Sequence, residues 1–285
     1  MKVGFVGLGN IGKPMALRLA GAADVDLVVY DVAPEPVAEL EAAGAKVAAN
    51  VAELAAGVDI LCVMVRDDAQ VREVLGEVLG VAGDRLTVAI HSTIGPGTPA
   101  DLEDTAIRHG VRLVDAPVSG GAMGAADGTL AIPVGGSDAA FEAVRPALEL
   151  MGSVVVHAGP IGAGTKLKLA RNLIHFVAFT AVTEAQRLAE AAGLDLKTLG
   201  EVVRHTDAIT GGPGAIMHRE TAAQLDRDDF WFDVFDHVRG LGEKDLGFAI
   251  ELADTLGVDV PLAELAIGRL GPGLGLPTTQ TLEDR

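Results

Sequence analysis

Residues 2–12 are Lys-Val-Gly-Phe-Val-Gly-Leu-Gly-Asn-Ile-Gly, an apolar run that leads directly into Gly7, Gly9 and Gly12. Three glycines at this spacing, between a strand and a helix, are typical of a dinucleotide-binding turn. The first glycine permits the tight turn, the second lets a pyrophosphate approach the backbone, and the third lets the helix pack closely on the strand. The pyrophosphate would then bind at the helix N-terminus. The other residues of this predicted cofactor loop are Leu8, Asn10 and Ile11.

A second apolar run, Val25–Tyr30, ends at Asp31, an acidic residue in the place that contacts the adenosine ribose in nucleotide-binding folds. Its carboxylate would accept hydrogen bonds from the ribose hydroxyls and repel a 2′-phosphate. The next residues, 32–35, contain no Arg or Lys that could hold such a phosphate. We therefore expect NAD as the cofactor, with NADP as the alternative. The alternative is an ordinary strand–helix turn that binds no nucleotide. That alternative does not account for Asp31 at the end of the second predicted strand.

Short runs rich in Val and Ile alternate with helix-like segments up to about residue 160. This alternation predicts an α/β fold, a doubly wound and mostly parallel Rossmann sheet. The predicted strands are Lys2–Val6, Val25–Asp31, Val58–Val65, Thr87–His91, Arg112–Asp115, Thr129–Val134 and Val154–His157. The predicted helices between them include Pro34–Ala43, Ala69–Leu79, Pro99–His109 and Asp138–Met151.

After Gly164 the strand pattern ends and only helix-compatible segments follow. Thr165–Ala192 contains no proline or glycine and stops at Gly193, a residue suited to end a helix. We expect a Rossmann domain over 1–161 and an all-helical domain over 162–285, joined by this long helix, with the ligand site in the cleft between them. The last ten or so residues should be frayed. Further helices are predicted at Asp195–His205, Ala215–Ala223, Val234–Leu256 and Pro261–Arg269.

The composition excludes several classes of function. The net charge of -18 would repel nucleic acid and anionic membranes, and aromatic residues make up only 4% of the chain. No apolar run is long enough to cross a membrane, and the N-terminus has no cleavage-site pattern. The single cysteine, Cys62, lies in an apolar run and cannot form an internal disulfide. We therefore expect a cytoplasmic protein that binds neither nucleic acid nor membrane, and no residue spacing predicts a metal site.

A second glycine cluster follows a predicted strand, in the stretch 115–121, Asp-Ala-Pro-Val-Ser-Gly-Gly. The hydroxyl of Ser119 and the backbone N–H groups of Gly120 and Gly121 could hold a carboxylate. The alternative is an ordinary glycine-rich turn.

Lys168 and Asn172 are four residues apart on the long predicted helix, so they share one face. A partly desolvated lysine has a lowered pKa and can exchange a proton with an alcohol near neutral pH. Spacing alone does not choose between Lys168 and Lys166, and a solvated helix surface is the alternative for both. His175 continues the same face and is expected to be a packed residue.

Four ordered motifs, at 4–12, 115–121, 162–172 and 244–246, together resemble the β-hydroxyacid dehydrogenases, the family that includes 3-hydroxyisobutyrate dehydrogenase and tartronate semialdehyde reductase. The resemblance covers nearly the whole chain. It implies that Lys168, rather than Lys166, is the catalytic acid/base. It also implies substrate contacts from Ser119, Gly120, Gly121 and Asn172. The cofactor contacts that it implies are Met64, Val65, Thr93 and Lys244.

The resemblance implies reversible oxidation of a 3-hydroxy acid to a semialdehyde or keto acid. Imine reductases resemble the same family but generally lack the lysine, and a non-catalytic nucleotide-dependent binding protein is an alternative of a different class. The substrate stays open, because Arg171 stands where many members have a second asparagine and Thr206–Pro213 lacks the usual aromatic residue. The apolar helical half suggests a homodimer or homotetramer.

Overall fold

A computed structural model describes residues 1–81 and 85–277, which form two compact units, Met1–Arg171 and Asn172–Arg285. The first unit is built on one sheet with the strand order β3-β2-β1-β4-β5-β6-β7-β8. Its strands are β1 (Lys2–Val6), β2 (Asp26–Tyr30), β3 (Lys46–Val47), β4 (Ile60–Val63), β5 (Thr87–Ile90), β6 (Arg112–Asp115), β7 (Leu130–Gly135) and β8 (Gly152–Gly159).

The sheet is parallel from β3 through β6, and then its direction reverses. β7 is antiparallel to β6, and β8 is parallel to β7. The prediction of a doubly wound, mostly parallel sheet is confirmed. The reversal matters for the site, because it brings the segment after β6 alongside β7, where Ser119 and Ala131 form an antiparallel bridge.

Helices cover both faces of the sheet and create a core on each. The helices of the first unit are α1 (Gly12–Ala20), α2 (Pro34–Ala42), α3 (Val51–Ala56), α4 (Asp68–Leu79), α5 (Thr98–Arg108), α6 (Gly121–Asp127) and α7 (Asp138–Leu148). One core contains Met15 of α1 and Val144 of α7, and the other contains Leu54 of α3 and Leu75 of α4. Strands buried on both faces explain why their sequences are continuous apolar runs instead of alternating ones.

The long helix α8 (Ala163–Ala191) starts in the first unit and supplies the opening helix of the second. It is followed by α9 (Leu196–Thr210), α10 (Phe230–Leu256), α11 (Pro261–Ile267) and α12 (Leu270–Gly273). Asp195 begins α9 by accepting the N–H of Thr198 at 2.8 Å, a normal N-terminal cap. None of the helices in the described ranges is both long and apolar enough to span a membrane.

The predicted helix Ala215–Ala223 is wrong. The segment before it, Gly212–Gly214, is a short 3-10 turn, and the following residues form turns, bends and irregular backbone. Arg219 within this stretch donates hydrogen bonds to the carbonyls of Leu274 and Ala223. Arg219 therefore joins the segment to Leu274 and to its own last residue, Ala223, and the composition of the segment gave no sign of this.

The second unit buries few apolar side chains of its own. Its core cluster is formed by Leu225, Phe235, Leu274 and Leu276, and none of the residues of α9 is buried. Apolar residues of α8 such as Leu173 and Phe176 are more than half exposed. The described part of the second unit therefore combines a small core with an extensive exposed apolar surface.

Candidate active site

The glycines of the cofactor loop differ in what surrounds them. Gly7 has φ +93°, and a Cβ built on it would overlap the carbonyl oxygen of Met64. A Cβ on Gly12 would overlap the carbonyl oxygen of Gly7, so α1 approaches β1 more closely than any side chain allows. Gly9 has no atom within 4 Å of its built Cβ. Two of these glycines are therefore required by the protein itself, and Gly9 faces open space.

Asp31 holds the loop in place. Its Oδ2 accepts the N–H of Leu8 at 2.5 Å, and its Oδ1 accepts the N–H of Ala33 at 2.8 Å. The carboxylate therefore joins the end of β2 to the glycine turn after β1. Its remaining lone pairs can accept further hydrogen bonds, since an ionised carboxylate has about four acceptor sites.

A pocket of about 290 Å³ opens beside this loop. It brings together five of the predicted cofactor residues, which are Gly7, Gly9, Asp31, Met64 and Val65. Sequence reasoning missed four charged or polar residues that also line it, which are Arg66, Gln70, Glu73 and Glu77. Arg66 and Gln70 could have been found, because they lie in the turn after β4 and at the start of α4, where such folds bind a nucleotide. Glu73 and Glu77 lie further along α4 and carried no such signal.

The end of β5 is tied to the end of β4 through Ser92. Its Oγ donates to the carbonyl of Val65 at 2.7 Å and accepts the N–H of Val65 at 2.9 Å. Thr93, the next residue, is exposed. Asp68 fixes the following turn by accepting the N–H of Gly95 at 3.0 Å and the hydroxyl proton of Thr98 at 2.5 Å. These donors lower the pKa of Asp68.

Ser119 is held by two backbone hydrogen bonds with Ala131 of β7. Its N–H donates to the carbonyl of Ala131, and the N–H of Ala131 donates to the carbonyl of Ser119, each at 2.9 Å. Gly120 and Gly121 follow with φ of +134° and +64°, which explains the glycines in this turn. Because the backbone of Ser119 is committed to β7, its position is set by the sheet.

Lys168 meets this turn from α8. It is only 8% exposed, and its Nζ donates to the carbonyl of Val118 at 2.6 Å and to Ser119 Oγ at 3.0 Å. Burial lowers the pKa of Lys168, and the positive charge of Arg171 lowers it further. Lys166, which spacing alone could not separate from Lys168, is exposed. The structure therefore joins two predicted site residues, Ser119 and Lys168, into one hydrogen-bonded pair.

Two further buried polar residues contact the backbone of α8 and of the segment after β6. Asp115, fully buried, accepts the N–H groups of Gly162 at 2.7 Å and Thr165 at 2.6 Å at the start of α8. His91, also fully buried, has its Nδ1 2.8 Å from the carbonyl of Ala116. Burial lowers the pKa of His91 to about 4, so its ring is neutral near neutral pH. Sequence reasoning assigned neither residue a role.

Asn10 is exposed and Ile11 is half-buried in the glycine loop of the first unit, and the second unit carries Asn172 and Lys244. Asn172 follows Lys168 by four residues on α8, and Lys244 lies on α10, where its Nζ is 3.2 Å from Asp245 Oδ1. Among the residues that the structure describes, no three His, Cys, Asp or Glu side chains are grouped so that they could hold a metal ion.

Comparison with known proteins gives two family matches. Residues 2–159 match the NAD binding domain of 6-phosphogluconate dehydrogenase, and residues 162–270 match the domain described as NAD-binding of NADP-dependent 3-hydroxyisobutyrate dehydrogenase. The mitochondrial 3-hydroxyisobutyrate dehydrogenase of Drosophila melanogaster is 34% identical over 93% of this chain and 81% of its own length.

Solved structures agree with these matches. A crystal structure from Mycobacterium avium 104 has a TM-score of 0.93 at 49% identity, over 96% of this chain and 99% of that one. The Mycobacterium tuberculosis 3-hydroxyisobutyrate dehydrogenase with L-serine has a TM-score of 0.67 at 30% identity, over 96% and 95%. An imine reductase of Myxococcus stipitatus, with NAD+, has a TM-score of 0.76 at only 18% identity, over 99% and 98%, and shares the fold alone. The chain belongs to the β-hydroxyacid dehydrogenase family, with 3-hydroxyisobutyrate dehydrogenase and related oxidoreductases.

Proposed function

We propose that this protein interconverts a 3-hydroxy acid and the corresponding semialdehyde or keto acid with NAD, and that Lys168 is the general acid/base. The observation that carries the proposal is the buried Lys168 ammonium, held by a carbonyl and by the hydroxyl of Ser119. Burial lowers its pKa, so the neutral amine, which is the form that can accept a proton from an alcohol, is more accessible than in an ordinary exposed lysine.

The residues of the first unit fit a dinucleotide. The space above Gly9 is open for a pyrophosphate, and Asp31 presents a carboxylate at the place of a ribose. The same pocket contains Glu73 and Glu77 against a single cation, Arg66. This balance of charge disfavours a 2′-phosphate, so it supports NAD over NADP.

In the proposed reaction the cofactor and Lys168 have separate roles. The cofactor, when bound, would supply the nicotinamide ring as the acceptor of a hydride from the carbinol carbon. Lys168 Nζ takes the hydroxyl proton, and in the reverse direction its ammonium returns a proton to the carbonyl oxygen. Ser119 Oγ and the N–H groups of Gly120 and Gly121 would hold the carboxylate of the substrate. Asn172, one turn after Lys168, would orient the lysine and a substrate oxygen.

The relatives support the substrate class without naming the substrate. 3-Hydroxyisobutyrate, after which the Drosophila melanogaster relative is named, and L-serine, present in the Mycobacterium tuberculosis structure, both carry a hydroxyl on the carbon β to a carboxylate. We infer the same arrangement for the substrate of this chain. We also propose that the chain divides into functional domains at 1–161 and 162–285. Thr93 and Lys244 are proposed as further cofactor contacts.

Lys168→Ala tests the proposal, with Lys166→Ala as a matched control two residues away. General acid/base assistance is worth about 10²–10⁴-fold, so Lys168→Ala should lose at least about that much turnover. NAD affinity should stay the same, because Lys168 does not line the pocket beside the glycine loop. The assay is formation of reduced cofactor with a panel of 3-hydroxy acids. Full turnover by Lys168→Ala would reject the assignment, and no turnover by the wild-type protein with any member would favour a binding protein.

We also propose that a second copy of the chain covers the helical unit, as a homodimer or a homotetramer. The support is the exposed apolar side of α8, which includes Leu173, Phe176 and Phe179, beside a core cluster of only four residues. Sedimentation of the wild-type protein should give a dimer or tetramer. Phe176→Asp should shift it toward the monomer, and a monomeric wild-type protein at micromolar concentration would reject this proposal.

A further inference from the structure

Asp115 is a buried acidic residue that the proposed chemistry does not use. It is the last residue of β6 and is fully buried. Its Oδ1 and Oδ2 accept the N–H groups of Gly162 and Thr165. These are two of the four N–H groups at the start of a helix that have no partner inside it. The negative charge also lies at the end of α8 that favours an anion.

The backbone at the start of α8 packs so closely against the sheet that two of the positions in this contact have no room for a Cβ atom. A Cβ on Gly164 would lie 2.5 Å from the carbonyl oxygen of Asp115 and 2.6 Å from that of Pro133. A Cβ on Gly135 would lie 2.8 Å from the backbone nitrogen of Ala163. The first turn of α8 can therefore approach the ends of β6 and β7 only because glycines stand at these positions.

The segment 115–119 is consequently joined to α8 at both of its ends. Asp115 accepts the N–H of Thr165 in the first turn of the helix, and Ser119 Oγ accepts a hydrogen bond from Lys168, three residues further along the helix. Ser119 is itself fixed to β7 by its two backbone hydrogen bonds with Ala131. The place of the Lys168 ammonium relative to Ser119 then depends on where the first turn of α8 is anchored.

We propose that Asp115 is a positioning residue, whose carboxylate anchors the first turn of α8 and thereby keeps Lys168 Nζ at Ser119 Oγ. The proposal rests on the proposed role of Lys168 for its effect on turnover, but the anchoring itself can be measured without substrate.

Asp115→Asn is the direct test. Asparagine has the same shape, but it keeps one acceptor oxygen and turns an NH₂ group toward the second backbone N–H. Glu184→Gln is the matched control, because Glu184 is also a buried carboxylate that accepts two backbone N–H groups at a helix start. Its Oε1 accepts from Leu262 at 2.9 Å and its Oε2 from Ala263 at 3.1 Å. Glu184 lies sixteen residues after Lys168 on α8.

The readout is chemical labelling of lysine amines in the full-length protein, followed by mass spectrometry. The exposed Lys166 is an internal reference for the buried Lys168. Asp115→Asn should raise the labelling of Lys168 relative to Lys166 by about 10- to 100-fold, because losing a charged acceptor for a buried N–H favours local opening. Turnover should fall about 100-fold, as expected when a reacting group is misplaced by about 1 Å. NAD affinity should be unchanged, and Glu184→Gln should alter neither the labelling ratio nor turnover.

An unchanged labelling ratio in Asp115→Asn would overturn the proposal, and so would an equal rise in Glu184→Gln. If Asp115→Asn does not fold, Thr165→Pro removes the hydrogen bond between the Thr165 N–H and Asp115 Oδ2 from the donor side. Proline is tolerated in the first turn of a helix, so the expected rise in Lys168 labelling is the same. Full turnover by Lys168→Ala would reject the proposed function and leave the labelling result standing, so the two failures are distinguishable.

Discussion

Gly9→Ala should separate cofactor binding from folding in the glycine loop. Gly9 does not adopt a positive φ, and its built Cβ meets no atom within 4 Å. The variant should therefore change the free energy of unfolding by no more than about 0.5 kcal/mol when no cofactor is present, as for other substitutions that touch nothing.

The same methyl group should weaken NAD binding, because it occupies the open space that a pyrophosphate needs in order to reach the N–H groups of the loop. A hydrogen bond to a charged group is worth about 1.5–3 kcal/mol. Losing one such bond raises the dissociation constant of NAD by about 10- to 150-fold. Isothermal titration calorimetry with NAD measures this change directly.

Gly7→Ala is the contrasting variant in the same loop. Gly7 has φ +93°, and its built Cβ overlaps the carbonyl oxygen of Met64. The left-handed backbone alone should cost about 1–3 kcal/mol, and the overlap with a backbone atom adds to this cost. Urea unfolding without cofactor should therefore show a clear loss of stability in Gly7→Ala only. The reasoning is refuted if Gly9→Ala binds NAD with wild-type affinity, or if it is destabilised as much as Gly7→Ala.

Three further predictions concern cofactor choice, pH and thiol reactivity. Asp31→Asn should raise the ratio of NADP affinity to NAD affinity about tenfold, because it removes a negative charge beside the ribose; an unchanged ratio in paired titrations would contradict this. His91 has a pKa of about 4 when folded, below its unfolded value of about 6.5, so the unfolded chain binds an extra proton between these values. The free energy of unfolding should therefore rise with pH between about 4 and 6.5, by up to about 1.4 kcal/mol per pH unit from this group, and His91→Gln should remove that part of the slope in urea unfolding. Burial raises the pKa of the Cys62 thiol to about 12, so thiol reagents should modify Cys62 only after unfolding, and rapid labelling of the native protein would disprove the assignment.

The central strands β1, β4, β5 and β6 share one physical property, which is the burial of nearly all of their residues. Each of β4 and β5 is a run of four buried residues, so its apolar character is continuous and visible. β3, Lys46–Val47, was missed because both of its residues are exposed and it is an edge strand of two residues. The short helix α6 was missed for a related reason, since Gly121–Asp127 is made of small residues with little apolar periodicity.

The site was less visible than the fold, because its residues are far apart in sequence. The glycine loop and Asp31 could be recognised, since strand, turn, helix and acid lie within one short segment. The hydrogen bonds that join Lys168 to Ser119 and Asp115 to Thr165 connect residues 49 and 50 positions apart. Spacing shows which residues share a helix face, but it does not show what that face meets. Asp115 could have been noticed as an acid that ends a predicted buried strand.

The hydrogen bonds between the segment after β6 and α8 also have a consequence for the order of folding. The chain between Asp115 and Gly162 contains α6, β7, α7 and β8, and all of these must be in place before the two segments can meet. Contacts of such high sequence separation form late, because their loop-closure entropy must be overcome before they contribute. The Lys168–Ser119 pair should therefore appear after the sheet in refolding, so that recovery of activity lags behind recovery of secondary structure.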